Sequence, residues 1–423
     1  MSEIKLPKVV KVRQSFRTPT ITDISGTVKE EFQRIGISSF ISKGQRIAIT
    51  VGSRGIANMV TIIQSIVAEL KALEAEPFII PAMGSHGGAT QEGQILMLES
   101  LGITEETVGA PIISSMDVVQ IATTEDGMPV YIDKYAANAD GIIVVNRVKP
   151  HTEYEAEIES GLMKMMVIGL GKHKGAIEAH RHIVKKGYRN VIPAGAREIM
   201  KNAKILLGVA TVENVYHDTA YIKAVLPGQL EEEEKKLLVE AKELMAHIPF
   251  DELDVLIISE MGKQISGAGM DPNVIGRIYS QTEPDPVRPV ITNIVTLDLT
   301  METHGNAMGI GLADFVTKRL VDKTDFNATY INAITGLAVR KGFTPIICQN
   351  DLDAVTKALL TCGPNEPENA TVCWIKNTQE LAEIYVSEAL LPQVMKIPSL
   401  EIISEVVDLP FDEYGNLAKW SHK

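Results

Sequence analysis

RIAITVGSRGIANMVTIIQSIVAEL, Arg46–Leu70, decides the fold class. RIAITV reads as a buried strand and GSRG as the turn that ends it. Ile56, Met59, Val60, Ile63, Val67 and Leu70 then recur at helical spacing, which predicts a helix beginning after Gly55. A strand, a glycine-bounded turn and an amphipathic helix begin a βαβ unit, so an α/β protein with a parallel sheet is expected. Arg54 sits in the turn just ahead of the expected helix. There, free N–H groups and the positive end of a helix dipole favour an anion. A surface arginine in an ordinary βα loop is the other reading.

The pattern repeats downstream. PFIIPAM (Pro77–Met83) reads as a strand, GSHGGAT as a glycine-rich turn holding His86, and Thr90 as the cap of the next helix. Val118 to Asp133 reads as a hairpin around Asp126-Gly127. GIIVVN (Gly141–Asn146) is another buried strand, followed by Arg147 and then by His151 in VKPHTE. Arg54, His86 and His151 thus each follow the carboxyl end of a different expected strand, the edge at which open α/β sheets bind ligands. A loop histidine is ordinarily just solvated, but glycines beside His86 let backbone and ligand approach closely.

The totals bound the rest. At 423 residues the chain suits two or three domains, and 45% hydrophobic with 22% charged residues is a globular profile. A net charge of −13 argues against a nucleic-acid or anionic-membrane partner. MSEIKLPKVVKV lacks the apolar core of a signal peptide, and no apolar run approaches the ~18–20 residues that span a bilayer. Cys348, Cys362 and Cys373, an odd number without CxxC spacing, fit a reducing compartment, so a cytoplasmic location is expected. Near Pro249 the strand and helix pattern restarts. The expected division is a first α/β domain of residues 1–249 joined by a returning tail, 396–423, and a second of residues 250–395, with the active site in the interdomain cleft.

Lys149–Lys186, KPHTEYEAEIESGLMKMMVIGLGKHKGAIEAHRHIVKK, holds four of the nine histidines: His151, His173, His180 and His182. Its density of donors and glycines points to a metal-containing cofactor served by acid/base groups from the turns above. Residues two apart on a helix point about 200° from each other, so His180 and His182 share no face; His173 and His180 lie roughly 10 Å apart along one. No pair has the i,i+4 spacing of a helical zinc site, which leaves a single histidine ligand as the plausible arrangement. Lys164, between Met163 and Met165, is either a partly desolvated amine open to attachment or a lysine snorkelling from a helix edge.

In order and spacing these residues resemble the nickel-dependent lactate racemase family over most of the chain, most clearly from Arg54 to His180. The resemblance implies a 2-hydroxyacid racemase or epimerase that uses a nickel-pincer nucleotide, nickel pyridinium-3,5-bisthiocarboxylic acid mononucleotide. It implies Arg54 as carboxylate clamp, with Ser53 and Gly55 beside it as cofactor contacts, and His86 and His151 as the two bases. Lys164 is implied as the cofactor anchor, tethered or not. His180, sixteen residues on as in the family, is implied as the nickel ligand. It also implies a small 2-hydroxy acid as substrate and cofactor-maturation enzymes as partners, and leaves homo-oligomer formation open. The family's substrate-binding glutamine and lysine, three residues apart, have no counterpart in DPNVIGR, where Asn273 and Arg277 are the nearest polar groups and Lys263 and Gln264 lie upstream. Lactate itself is therefore not the expected substrate; His304 and Asn306 in ETHGNAMGIG would suit a longer, hydroxylated acid. Two other readings stand beside this one: a mononuclear metal-dependent hydrolase or lyase using His86, His151 and His180 directly, and a non-catalytic α/β binding protein.

Overall fold

A computed structural model describes residues 4–280, 283–363 and 366–420. The chain divides into two compact units, both α/β: residues 17–151 with 155–245, and residues 1–16 and 152–154 with 246–423.

The first unit is built on a five-stranded sheet in the order Glu76–Pro81, Arg46–Val51, Gly141–Arg147, Ile205–Glu213, Thr219–Val225. The first four strands are parallel and the last is antiparallel. Arg46–Val51 exposes only its first residue, which explains its unbroken apolar run: helices cover both faces. Ile47 and Ile49 pack with Ile62, Ile63 and Ile66 of helix Met59–Ala72, while Ala48 faces the other core with Met163 and Met166. From Arg46–Val51 the chain goes first to the strand on one side, Glu76–Pro81, and later to the strand on the other, Gly141–Arg147. The reversal makes the carboxyl end of Arg46–Val51 the switch point where such sheets open a crevice.

The expected elements are present with three differences. Helix Met59–Ala72 begins four residues after Gly55, with Asn58 left-handed at φ 57°. The loop is pulled out of the helix because the Ala57 N–H is taken by Glu213 Oε1 at 2.8 Å and Asn58 Nδ2 by Thr219 Oγ1 at 2.9 Å. Arg54 therefore lies in an anchored loop rather than at a helix N-terminus. The 118–133 hairpin is present as expected, as a two-stranded sheet of its own. The tail does not return to the first unit. Val9–Gln14 pairs antiparallel with Glu383–Ser387 on one side and Leu400–Ile402 on the other, so both chain ends belong to the second unit. Such long-range pairing has no local mark in VVKVRQ. The boundary expected at 249 falls at 245/246.

The second unit carries an eight-stranded sheet, with Glu252–Ile258 between Val290–Thr296 and Val372–Ile375 in its parallel part. Thr152–Tyr154, which follow His151, count with this unit, where the buried Lys341 Nζ pairs with Glu153 Oε1 at 2.6 Å. Among the described residues, no helix is long and apolar enough to cross a membrane.

Helix Leu230–Glu243 buries one acid, Glu234, beneath the turn that carries Lys164. Glu234 Oε2 accepts the Met163 N–H at 3.0 Å, and Oε1 has no hydrogen-bond partner among the described residues. Burial pushes its carboxyl up to about 8, against the two backbone N–H bonds that favour ionisation. The unfolded carboxyl ionises near 4.5 while the folded one holds its proton, so stability present below pH 4.5 is lost as pH rises to about 8. Glu234→Gln keeps the acceptor and removes the titration. Thermal denaturation between pH 5 and 8.5 should show the wild-type midpoint falling and the variant's staying flatter, a relative gain on the order of a few kcal/mol at most. Parallel curves would mean that Glu234 ionises in the folded protein.

Candidate active site

The site is assembled by a six-residue π-helical turn, Met165–Leu170, which follows the short helix Leu162–Lys164 and leads through Gly171 into helix Lys172–Lys186. π-turns are rare and concentrate at functional positions. This one rests directly on two sheet-edge loops. A Cβ at Gly52 would lie 2.8 Å from Met165 Cε, one at Gly84 3.1 Å from the Ile168 carbonyl oxygen, and one at Gly169 2.6 Å from the Ala82 carbonyl oxygen. The glycines bring the Arg54 loop, the His86 turn and the Lys164 segment together.

His86 stands at the head of the turn Gly87–Ala89, and its Nδ1 is hydrogen-bonded to Ser53 Oγ, so Nε2 is the free ring nitrogen. Burial holds its imidazole below the ordinary 6.5, and the charges of Arg54 and Lys164 lower it further. His86 as a whole stays solvent-accessible, so the two cations are the more specific cause. Arg54 is exposed.

His151 follows the strand Gly141–Arg147. Its N–H donates to Glu159 Oε2 at 2.6 Å, and Lys242 Nζ holds the other carboxylate oxygen at 2.8 Å. Glu159 is buried, which raises its carboxyl against the pull of Lys242. His151 Nε2 is hydrogen-bonded to Lys164 Nζ. The Tyr188 ring lies 5.4 Å from the His151 ring and 6.3 Å, edge-on, from that of His180.

His180 Nδ1 meets the Ala176 carbonyl oxygen at 2.7 Å; a carbonyl can only accept, so Nδ1 carries the proton and Nε2 keeps its lone pair. This is the arrangement in which histidines bind metals. Burial lowers the His180 imidazole, the Ala176 bond opposes that, and the Lys164 charge lowers it again. His182 makes the same bond, to the Glu178 carbonyl at 2.9 Å, and His173 is exposed.

Arg54, Ser53, Gly55, His86, His151, Lys164 and His180 therefore all belong to one unit, and Asn273 and Arg277 to the other. Arg277, expected to bind substrate, is buried. Asp314 pairs with it at 2.7 Å and the Leu312, Ile291 and Thr292 carbonyls accept from it, so its guanidinium is committed inside its own unit. Asn273 donates to the Asp271 carboxylate at 3.1 Å on the short helix Pro272–Ile275. Among the described residues no three His, Cys, Asp or Glu side chains group to hold a metal, so the expectation of a mononuclear site on His86, His151 and His180 has no geometric support. Sequence reasoning missed Glu159, Tyr188, Gln94 and Lys172, none of which carries a local signal.

Residues 7–190 match the family model described as the lactate racemase N-terminal domain. Among solved structures, the lactate racemase apoprotein from Thermoanaerobacterium thermosaccharolyticum shares this fold, with a TM-score of 0.54 at 13% identity over 86% of this chain and 94% of that one. A search of curated protein sequences gives no match.

The Gly169 contact can be tested without any ligand. In Gly169→Ala the new methyl meets the Ala82 carbonyl, which is backbone and cannot move aside as Met165 can. Thermal denaturation of the variant should show a loss of ~1–3 kcal/mol. An unchanged melting temperature would mean that the turn has slack to move off the loops.

Proposed function

From the match of residues 7–190 to the lactate racemase N-terminal domain and the fold shared with a lactate racemase apoprotein, we propose that this chain is a racemase or epimerase of a 2-hydroxy acid that works with a nickel-pincer nucleotide. The observation that carries the reading is the position of Lys164. Its amine contacts the His151 ring, and its charge acts on both His86 and His180. An anchor, two bases and a metal ligand are thus gathered around one amine.

Inverting Cα of a 2-hydroxy acid by proton abstraction would need a carbanion beside a carboxylate, whereas removal as hydride needs an acceptor that no side chain provides. The bound nickel nucleotide supplies that acceptor. The donor set suits it: Lys164 as anchor and His180 Nε2 as one nickel ligand, its ring fixed by Ala176. Arg54, exposed beside His86, binds the substrate carboxylate through its planar fork. His86, its Nδ1 on Ser53, presents Nε2 to the hydroxyl proton of one enantiomer. His151, whose Nε2 is hydrogen-bonded to the Lys164 amine that would hold the cofactor, would serve the other enantiomer. The substrate is an acid other than lactate, and a panel of single-enantiomer 2-hydroxy acids, sugar acids included, identifies it. A matured protein that inverts none of them would overturn the assignment.

Produced together with cofactor-maturation enzymes, the wild type should bind nickel and His180→Ala should lose it, as read by elemental analysis. Nickel retained at the wild-type ratio would remove His180 as ligand. In the same preparation a nucleotide-sized mass increment should vanish in Lys164→Ala if the cofactor is tethered there.

The lowered His86 imidazole sets a pH dependence. A base must be neutral, and this one stays neutral below the ordinary 6.5. The acid limb of kcat/KM should therefore have its midpoint below 6.5. A midpoint above that value would assign the limb to a different group.

A further inference from the structure

We infer that Lys172, Gln94 and Asp133 form a buried positioning network for His86, fixing from beneath the main chain of the turn that carries it. The inference rests on reading His86 as a base. The turn makes a few main-chain bonds of its own, among them His86 N–H to Met83 O and Ala89 N–H to Ser85 O, each at 3.1 Å. Gly84, Gly87 and Gly88 are all left-handed, at φ 58°, 66° and 64°, and the ladder of the strand stops at Pro81. Three carbonyls, those of Pro81, Gly84 and His86, are also met by buried side chains. Gln94, on helix Gln91–Ser100, donates its Nε2 to Gly84 O at 3.1 Å and to His86 O at 3.3 Å. Lys172 Nζ donates to Pro81 O and, at 3.3 Å, to Gln94 Oε1. Asp133 closes the network with Oδ2 at 3.2 Å from Lys172 Nζ, while its Oδ1 accepts the N–H groups of Tyr135 and Ala136 at 2.7 and 3.0 Å.

Gln94, Lys172 and Asp133 are each 0% exposed. Burying an ammonium and a carboxylate costs several kcal/mol per ion, and an apolar pair would pack the space without that cost. Lys172 also sits at φ 54°, where a side chain is disfavoured. What the ammonium adds is direction. By donating to Gln94 Oε1 it turns the amide so that the NH₂ faces the two carbonyls of the turn. Lys172 is also the first residue of the helix that carries His180, so one group joins the supports of base and metal ligand.

The test uses the metal-free full chain labelled with ¹³C at histidine Cε1, the His86 signal being assigned by loss in His86→Gln. Two variants are compared: Gln94→Met, close in volume but without donors, and Lys172→Met/Asp133→Asn, which removes both charges while leaving an acceptor for Tyr135 and Ala136. In each the His86 signal should move or broaden and its titration midpoint should shift by about half a pH unit or more, with His217 and His247 unmoved. Folded variants whose His86 signal and titration superimpose on the wild type's would overturn the inference. If the double variant does not fold, Gln94→Met decides alone. Neither cofactor nor substrate is present, so failure of the racemase reading shows separately, as absence of turnover by the matured wild type.

Discussion

One close approach underlies the candidate site: the turn Met165–Leu170 lies against two sheet-edge loops, main chain to main chain at Gly84 and Gly169 and through the Met165 side chain at Gly52. Gly52, Gly84 and Gly169 are the places where a Cβ would intrude. Held even an ångström further apart, Lys164 would lose its reach to His151 and weaken its charge on His86 and His180, and positional errors of that size cost rate steeply. The π-turn fits this need. Its wider winding sets the phase between the short helix that ends at Lys164 and the long helix that carries His180.

Behind that contact the protein places ionisable groups where regular structure leaves main-chain atoms unpaired. Glu234 meets the N–H groups that open the Lys164 turn, Glu159 those of His151 and Ala156, and Lys172 the carbonyl that ends the strand before His86. Each brace handles its burial differently. Glu234 stays protonated, Glu159 is paired with Lys242, and Lys172 with Asp133. All three are expensive compared with apolar packing. What they secure is the placement of the three segments that carry Lys164, His151 and His86.

The parallel sheet and its ligand edge were legible because RIAITV, PFIIPAM and GIIVVN are unbroken apolar runs closed by glycine or polar turns, the mark of strands buried on both faces. Arg54, His86 and His151 followed from their positions after those strands. Lys164 and His180 needed the resemblance, since the spacing of the histidines argued against a multi-histidine metal site on one helix without choosing among them. The helix start after Gly55 was misread because Glu213 and Thr219, more than 150 positions away, take the polar groups of Ala57 and Asn58. The tail was misplaced for the same kind of reason: nothing in Val9–Gln14 names its partners near residues 385 and 401. Arg277 looked available in a polar loop, and only the fold shows its guanidinium already paired with Asp314.

The contrast between His180 and His182 shows what separates a site residue from its neighbour. Both set Nδ1 against a carbonyl oxygen four residues back, at 2.7 and 2.9 Å. By ring chemistry alone either would serve a metal. They differ in what they face. His180 lies under the charge of Lys164 and against Tyr188, which also touches His151. Two positions along a helix turn a side chain to nearly the opposite side, so the residue type is shared and the surroundings are not. The ligand role proposed for His180 therefore rests on the position set by the turn Met165–Leu170 and not on residue type, which His182 shares.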